Sequence, residues 1–375
     1  MQRKKALLLI AASETNANLY YATRFLAPDP FVFVEIGGRK FLLMSDLEVD
    51  RARFESIVDE VLSTSRLARD YRKRTGEKAT YLGIIEDFLK RKKVRELLVP
   101  DDFPLAYADR LRKKGFRIET KAEPFFEKRS IKSPTEIRAI EAALRHTEAA
   151  CRTAIEVIAR AQIRRGKLFY KGRVLTSEAI KQIINVSLME RDCVAQHTII
   201  APGIQAVDPH NQGTGPFRAH EPIVMDIFPQ SVQNRYYADL SRTVVRGKAS
   251  PKIKKMFAAV REGQEMAFRR IRAGADGGEI HRAIQKRFEE LGFRTGEMNG
   301  RMQGFFHGTG HGVGLEIHEP PRISAGKDIL QAGQVVTVEP GLYYEDSGGV
   351  RLEDMVVVTR TGCRVLNRLP KVLEL

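Results

Sequence analysis

Three strings decide the architecture of this chain: FFHGTGHGVGLEIHE (305–319), VVTVEPG (335–341) and GGVRLED (348–354). Each is an apolar, strand-like run that stops at a histidine or a glutamate. Glycines alternate through the first string from Gly308 to Gly314. A residue without a Cβ tolerates close backbone contact, so this alternation is typical of a strand that approaches a ligand. The strings therefore predict a buried site lined by their histidines and glutamates.

Four acids end strand-like runs as two pairs. Asp226 ends IVMD and Asp239 ends YYAD, while Glu339 and Glu353 flank a glycine-containing loop. Antiparallel pairing would bring each pair to one site. Buried carboxylates need cations, and two metal ions about 3.5–4 Å apart can polarise a carbonyl and activate water. A lone strand aspartate is more often a turn or salt-bridge residue, so only the ensemble predicts a two-metal hydrolase.

Other motif interpretations fail. His307 and His311 have the spacing of a helical zinc pair, but the glycines between them disfavour a helix. His318 and Glu319 are followed by Pro320, which excludes a helical HExxH motif. The spacing GxGxxG of a dinucleotide site is absent from GTGHGVG.

The order Asp, Asp, His, Glu, Glu in these surroundings resembles metallopeptidase family M24. Its members share the pita-bread fold and include methionine aminopeptidase, prolidase (Xaa-Pro dipeptidase), Xaa-Pro aminopeptidase and creatinase. The resemblance covers about 133–375 and is weaker before it. It implies an α+β fold, with a pita-bread catalytic domain built on a curved antiparallel sheet over 129–375. The N-terminal α/β domain, 1–128, is similar to that of creatinase and prolidase and indicates the Xaa-Pro branch.

The resemblance implies a dinuclear site in which Asp239 and Glu353 bridge two divalent cations. Its five implied ligands are Asp226, Asp239, His311, Glu339 and Glu353. Oxygen-rich ligands suit Mn²⁺, which we expect, with Co²⁺, Zn²⁺ and Fe²⁺ as alternatives.

Catalytic roles are also implied by the resemblance. His210 matches a family histidine that lies above the scissile peptide. His318 matches a family histidine that helps to stabilise the tetrahedral intermediate. Glu339 is the expected proton shuttle. His307 and Arg351 are expected to bind substrate or support the ligands. The implied reaction is hydrolysis of the Xaa-Pro bond, in dipeptides or at peptide N-termini, by a metal-bridging hydroxide.

Several alternatives stay open at this point. Some pita-bread proteins bind RNA, peptides or histones without catalysis, and others are creatinase-like amidinohydrolases or hydrolases without proline specificity. The complete ligand set favours the peptidase. Bulky Ile227 and Phe228 stand where relatives commonly have small residues, which leaves the substrate open. Sequence does not separate dipeptidase from aminopeptidase.

Bulk properties agree with a two-domain globular protein. The chain has 375 residues, more than a single core usually holds. A helix is predicted to open the second domain, because Ser133 is an N-cap, Pro134 follows it and Glu136 completes a capping box. The net charge of +16 makes nucleic acid a candidate partner. The basic runs lie beside periodic apolar residues, which favours solvated helix faces and no nucleic-acid partner.

Location was inferred from cysteines and apolar runs. Three distant cysteines without a CxxC pair indicate a reducing cytoplasm. The opening MQRKKALLLIAAS imitates a signal peptide, but it lacks a clean cleavage site and is interpreted as a buried strand. No run approaches the ~20 apolar residues of a membrane helix. A homodimer is expected by resemblance only.

Overall fold

The computed structural model describes residues 4–375, which form two compact units. The first unit ends at Glu127 and the second is Lys128–Leu375. The first three residues, part of the domain predicted over 1–128 and of the segment MQRKKALLLIAAS, lie outside the described residues.

The N-terminal unit is a mixed sheet covered by helices. Its strands are β1 (Lys4–Ala11), β2 (Phe31–Ile36), β3 (Arg39–Met44), β4 (Glu60–Ser63), β5 (Val94–Pro100) and β6 (Arg117–Lys121). Its helices are α1 (Ala17–Thr23), α2 (Val49–Glu55), α3 (Thr64–Thr75), α4 (Tyr81–Arg91) and α5 (Leu105–Lys113). The strand order is β4-β3-β2-β1-β5-β6. As predicted, the opening apolar run is a strand and a hairpin turns at Gly37 and Gly38, whose φ angles are 58° and 81°.

The first half of the C-terminal unit carries two helices, two three-stranded sheets and one two-stranded sheet. Its helices are α6 (Pro134–Ala159) and α7 (Ser177–Met189). Its strands are β7 (Gln162–Arg164), β8 (Lys167–Tyr170), β9 (Arg173–Val174), β10 (Cys193–Val194), β11 (Ile199–Pro202), β12 (Pro222–Ile227), β13 (Gln230–Ser231) and β14 (Leu240–Val245). Short 3-10 turns span Glu127–Arg129 and Gly203–Val207. The three-stranded sheet that contains β12 has the order β11-β12-β14, and its neighbouring strands are antiparallel.

The second half repeats this plan with a larger sheet. Its helices are α8 (Pro251–Arg270) and α9 (Gly277–Glu290). Its strands are β15 (Gly296–Met298), β16 (Arg301–Gln303), β17 (Gly310–Gly312), β18 (Glu319–Ile323), β19 (Val335–Val338), β20 (Gly341–Tyr344), β21 (Gly348–Arg351), β22 (Asp354–Val358) and β23 (Cys363–Val365). The five-stranded sheet has the order β18-β17-β19-β22-β23.

Local sequence explains where the long helix α6 begins. The Ser133 side chain accepts a hydrogen bond from the Glu136 amide, and the Glu136 carboxylate accepts one from the Ser133 amide. This is the predicted capping box, with Pro134 in the first turn. Its apolar stripe, including Ile140 and Leu144, is buried.

The two antiparallel sheets meet beside the metal-ligand candidates. The Glu353 amide donates to the Ser241 carbonyl over 3.0 Å, which joins the start of β22 to β14. Buried apolar side chains of α8, α9 and the larger sheet form a single core behind this junction. The ligand-bearing ends of four strands are therefore fixed by both sheets.

Two further observations concern membrane and redox chemistry. Every helix within residues 4–375 is too short or too polar to cross a bilayer. The cysteines Cys151, Cys193 and Cys363 are all free thiols.

Candidate metal centre

The first pair of acids is placed by β12 and β14. These strands are antiparallel, with Asp226 opposite Ser241 and Ile227 opposite Leu240. Asp239 immediately precedes β14, so it lies beside the end of β12 that carries Asp226. The hairpin-like pairing predicted from IVMD and YYAD is therefore observed.

The second pair is placed by β19 and β22. Val338 lies opposite Asp354, so Glu339 and Glu353 occupy the next positions at the same end of the two strands. The segment between them differs from the glycine loop expected from sequence, because it is a hairpin of its own, β20 and β21, with Gly341 opposite Arg351.

The glycines around His311 also have a packing role that was not predicted. A Cβ on Gly310 would lie 2.0 Å from the Thr337 carbonyl oxygen, and one on Gly312 would lie 2.4 Å from the Pro320 carbonyl oxygen. These glycines therefore let β17 pack closely between its neighbouring strands. Close strand packing is one reason for glycine at these two positions, and Gly310 also lines the cavity described below.

The structure brings the five predicted ligands to one cavity of about 590 Å³. Ligand atoms of Asp239, His311 and Glu353 all lie within 4.8 Å of one another. His311 Nε2 is 3.7 Å from Asp239 Oδ2 and 3.2 Å from Glu339 Oε1. Asp226 lines the same cavity. Carboxylate and imidazole groups at this spacing could hold a metal ion.

Electrostatics support cation binding at this cluster. Burial, followed by repulsion from nearby carboxylates, raises the pKa of both Asp239 and Glu353 well above the usual range. One carboxylate oxygen on each of Asp226, Asp239 and Glu353 is buried and has no hydrogen-bond partner among the described residues. Such oxygens are costly unless a cation meets them. The residues present therefore fit divalent metal ions.

Glu339 behaves differently from the other buried acids. Burial raises its pKa, but the hydrogen bond and charge of His311, with the charges of His307 and Arg351, outweigh this and lower the pKa to about 2. Glu339 is therefore ionised at neutral pH, as a proton acceptor must be.

The two expected catalytic histidines line the same cavity. The rings of His318 and His311 meet edge to face, with centroids 4.4 Å apart. Desolvation by the surrounding protein, then the charges of His311 and Arg322, lower the pKa of His318 to about 4. His318 is therefore neutral near pH 7. His210 is exposed on the loop after Pro209, at the cavity wall.

His307 lines the cavity, but the protein already uses both its ring nitrogens. Nδ1 lies 2.8 Å from the Gly308 carbonyl oxygen and must carry the proton. Nε2 therefore accepts from the Tyr343 hydroxyl, also at 2.8 Å. Burial lowers the pKa of His307 to about 4, in keeping with a neutral ring. These contacts favour a supporting role over the predicted direct contact with substrate.

Arg351 is likewise engaged by protein groups. Its guanidinium donates to Asp226 Oδ2 over 2.6 Å, to the Tyr343 hydroxyl over 3.0 Å and to Ser241 Oγ over 3.1 Å. Ser241 Oγ in turn donates to Glu353 Oε2 over 2.9 Å. Arg351 thus links two of the predicted ligands. Sequence analysis missed Tyr343 and Ser241, because nothing in their spacing marks them as partners of an arginine.

Arg322 was also missed by the sequence analysis. It lies directly opposite His311 in the β17–β18 pair, so the two side chains share one face of the sheet. Arg322 lines the cavity. Among the residues of 4–375 that line it, none forms a hydrogen bond or an ion pair with the Arg322 guanidinium. The only available signal was its position four residues after His318.

Ile227 and Phe228 are bulky where relatives commonly have small residues, and only one of the two lines the cavity. Ile227 is fully buried, whereas Phe228 lines the cavity beside Ile199. Phe306 and Ile317 add to the apolar wall. Phe228 is therefore the member of the pair that can influence substrate choice.

A buried ion cluster holds the segment that carries His318. Glu319 is paired with Lys132 and with Arg129, the latter at 3.0 Å. All three side chains are almost completely buried, and Arg129 also contacts Glu316. The residue after His318 is thus fixed by two cations from the segment before α6.

Comparisons with known proteins agree with this geometry. The model of metallopeptidase family M24 matches residues 138–360, which contain all five predicted ligands. The Xaa-Pro dipeptidase of Pyrococcus horikoshii is 30% identical over 284 residues, which are 75% of this chain and 75% of that protein.

Solved structures show the same fold. The X-Pro aminopeptidase from Thermotoga maritima has a TM-score of 0.82 at 23% identity, over 99% of this chain and 98% of that one. The prolidase from Pyrococcus horikoshii has a TM-score of 0.78 at 26% identity, over 99% of this chain and 95% of that one. The predicted α+β pita-bread architecture is confirmed.

Proposed function

The chain belongs to metallopeptidase family M24 and is a peptidase, and we propose that it hydrolyses the peptide bond of Xaa-Pro dipeptides or of Xaa-Pro at peptide N-termini. The observation that carries this proposal is the buried carboxylate cluster, in which Asp239 and Glu353 meet His311 while leaving oxygens without protein partners. The relative named Xaa-Pro dipeptidase supports the choice of bond.

We propose that two divalent cations occupy this cluster. Asp239 and Glu353 would bridge them. Asp226 would hold one of the two ions, and His311 with Glu339 would hold the other. Manganese is the proposed metal, with cobalt, zinc and iron as alternatives. When bound, the two ions would lower the pKa of a water molecule between them and polarise the scissile carbonyl.

The chain's own residues would then handle protons and position the substrate. Glu339, ionised at neutral pH, can accept a proton from the attacking water and deliver it to the nitrogen of the leaving proline. His210 and His318 stand at the cavity wall, where their N–H groups can stabilise the developing oxyanion. Arg351 and His307 would keep the ligand geometry fixed.

Cavity chemistry suits a short substrate. The apolar wall of Ile199, Phe228 and Ile317 fits a proline ring, and the carboxylate-rich end fits a free amino terminus. Arg322, on the same face as His311, offers a cation to the terminal carboxylate of a dipeptide. This cation favours dipeptides over longer peptides.

The decisive experiment loads the purified protein with Mn²⁺ and compares hydrolysis of Xaa-Pro dipeptides, longer Xaa-Pro peptides and matched Xaa-Ala peptides. We expect cleavage of the Xaa-Pro bond, absent in Asp239→Asn. Equal turnover of Xaa-Ala would indicate an M24 hydrolase without proline specificity. A metal-loaded protein that cleaves none of them but binds RNA, peptide or histone tightly would indicate the binding-module alternative.

Three attributes of the proposed enzyme remain predictions: manganese as the metal, a homodimer and a cytoplasmic location. Metal analysis, light scattering of the purified protein and cell fractionation test them in turn. The nucleic-acid hypothesis stays disfavoured for the catalytic cavity, because its walls are apolar and carboxylate-rich.

A further inference from the structure

A second cavity of about 590 Å³ lies in the C-terminal unit, apart from the metal centre. We call it the basic cavity. It is lined by residues from the end of α8, the start of α9 and the segment before β19. Two of these segments supply its four cations, Arg269, Arg270 and Arg272 from the end of α8 and the residues after it, and Lys327 from the segment before β19.

The frame of the basic cavity is fixed by backbone hydrogen bonds. The Gly274 amide donates to the Leu330 carbonyl over 2.8 Å, and the Leu330 amide donates to the Ala275 carbonyl over 2.9 Å. The Gly277 amide donates to the Asp328 carbonyl over 2.8 Å. The loop between α8 and α9 and the 327–330 segment are therefore held together, so ordering this frame adds little to the cost of binding a ligand.

The cations of the basic cavity are not neutralised within the protein. The side chains of Arg269, Arg270, Arg272 and Lys327 are exposed and form no ion pair with any residue of the described chain. Four like charges at one concavity repel one another unless an anion is present.

The two acids of the basic cavity do not balance this charge. Asp276 Oδ1 accepts hydrogen bonds from the Gly278 amide over 2.9 Å and the Asp328 amide over 3.2 Å. The Gly278 amide is the main reason that the pKa of Asp276 is lowered, and the nearby charges of Arg282 and Lys327 lower it further. Glu279 is exposed at the rim, so the lining side chains carry a net charge of +2, from four cations and two acids.

We propose that the basic cavity binds a small compound with a pyrophosphate group, either inorganic pyrophosphate or a nucleotide polyphosphate. One arginine guanidinium can donate two parallel hydrogen bonds to a phosphate, so several arginines at one concavity suit a multiply charged phosphate. The volume is that of a small-molecule pocket. A nucleic-acid strand would instead need a charged stripe along the surface, whereas these cations converge on one concavity.

The test is calorimetric titration of the full-length protein with pyrophosphate, ADP and adenosine, at low and at physiological salt. We expect saturable binding of pyrophosphate and ADP, weakened by salt, and no binding of adenosine. Arg269→Gln/Arg272→Gln should weaken pyrophosphate binding about tenfold or more, because two charge-assisted contacts are lost. The single Lys327→Gln should also weaken it and serves if the double variant unfolds.

Two controls isolate the basic cavity. Arg152→Gln/Lys255→Gln removes the same charge from exposed helix positions elsewhere and should bind pyrophosphate like the parent. Asp239→Asn should also bind normally, which separates this site from the metal centre and from the proposed peptidase activity. The proposal is overturned by any of four results: no saturable binding, an equal loss in the Arg152/Lys255 control, a loss in Asp239→Asn, or tighter binding of single-stranded RNA than of pyrophosphate.

Discussion

Arg351 donates a hydrogen bond from Nη2 to Oδ2 of Asp226 over 2.6 Å, with 3% of the arginine side chain exposed. The same guanidinium holds Tyr343 and, through Ser241, the carboxylate of Glu353. One oxygen of Asp226 is therefore fixed by the protein, while the other, Oδ1, has no partner among the described residues. This division leaves Oδ1 available to the cation that we propose.

Arg351→Lys should weaken metal binding although the charge is kept, because a lysine cannot reproduce the fork that reaches Asp226, Tyr343 and Ser241 together. We expect metal affinity or kcat/KM to fall about 10–100-fold. Metal titration with activity assays measures this. Arg364→Lys, which alters an exposed arginine paired with Glu141, is the matched control and should change neither. Unchanged metal affinity in Arg351→Lys would contradict the supporting role.

Asp239→Asn should abolish metal-dependent hydrolysis and leave the fold intact, because an amide keeps the shape but loses the charge that would bridge two cations. Elemental analysis of the purified variant should find little bound metal. Asp346→Asn, the same chemical change at an exposed position, should retain metal and activity. Full activity of metal-depleted Asp239→Asn would refute the metal centre.

In the metal-free protein, the free energy of unfolding should decrease as pH rises. Burial and carboxylate repulsion raise the folded-state pKa of Asp239 and Glu353, so the folded chain keeps protons that the unfolded chain has already lost. Their contribution is complete below about pH 4, where unfolded carboxyls titrate, and is lost as pH rises through the raised values. Glu339 changes stability in the opposite direction, but only between pH about 2 and its ordinary value of 4.5.

Two histidines determine the pH range in which this loss of stability can be measured. His307 and His318, with pKa values lowered to about 4, make stability rise with pH up to about 6.5, where unfolded histidines titrate. We therefore expect the chelated protein to lose thermal stability as pH rises above about 7, and added Mn²⁺ to restore it. Asp239→Asn should reduce the slope. An equal slope in the two chelated proteins would argue against the raised pKa of Asp239.

Arg322→Ala should raise KM for Xaa-Pro dipeptides about tenfold, because a charge-assisted hydrogen bond to the terminal carboxylate is lost. The same variant should hydrolyse longer Xaa-Pro peptides almost unchanged, since their carboxylate lies elsewhere. Steady-state kinetics on both substrates provide the internal comparison. A parallel loss on both would show that Arg322 acts on the site itself and not on substrate length.

Glu319→Gln should destabilise the protein by about 3–5 kcal/mol, because Arg129 and Lys132 would remain buried without their shared carboxylate. Denaturant unfolding measures the free energy change. Asp346→Asn breaks the exposed pair with Lys252 and should cost at most about 1 kcal/mol. Equal costs for the two variants would mean that the buried cluster is no stronger than a surface pair.

The sequence pointed to the five candidate ligands through the motifs that resemble family M24, and these motifs are local. Each acid follows or precedes an apolar run, and His311 sits in a glycine-rich strand, so identity and approximate partners were visible without coordinates. The capping box at Ser133 and the hairpin at Gly37 were visible for the same reason, since each depends on residues within four positions of one another.

Supporting contacts could not be predicted, because they join residues far apart in the chain. Lys132 meets Glu319 across 187 positions, and Arg351 meets Asp226 across 125. The packing role of Gly310 was not predicted, since the atom that excludes a side chain there belongs to Thr337 on another strand.

The sequence by itself determined that carboxylates and imidazoles lie at the ends of apolar runs, and its resemblance to family M24 selected five of them as candidate ligands, since family motifs record residue type and local order. Only the tertiary structure decided how they are used. It engaged both nitrogens of His307, turned Ile227 inward and Phe228 to the cavity, and placed Arg322 beside His311. These outcomes depend on strand register and sheet packing, which couple residues that no short segment contains.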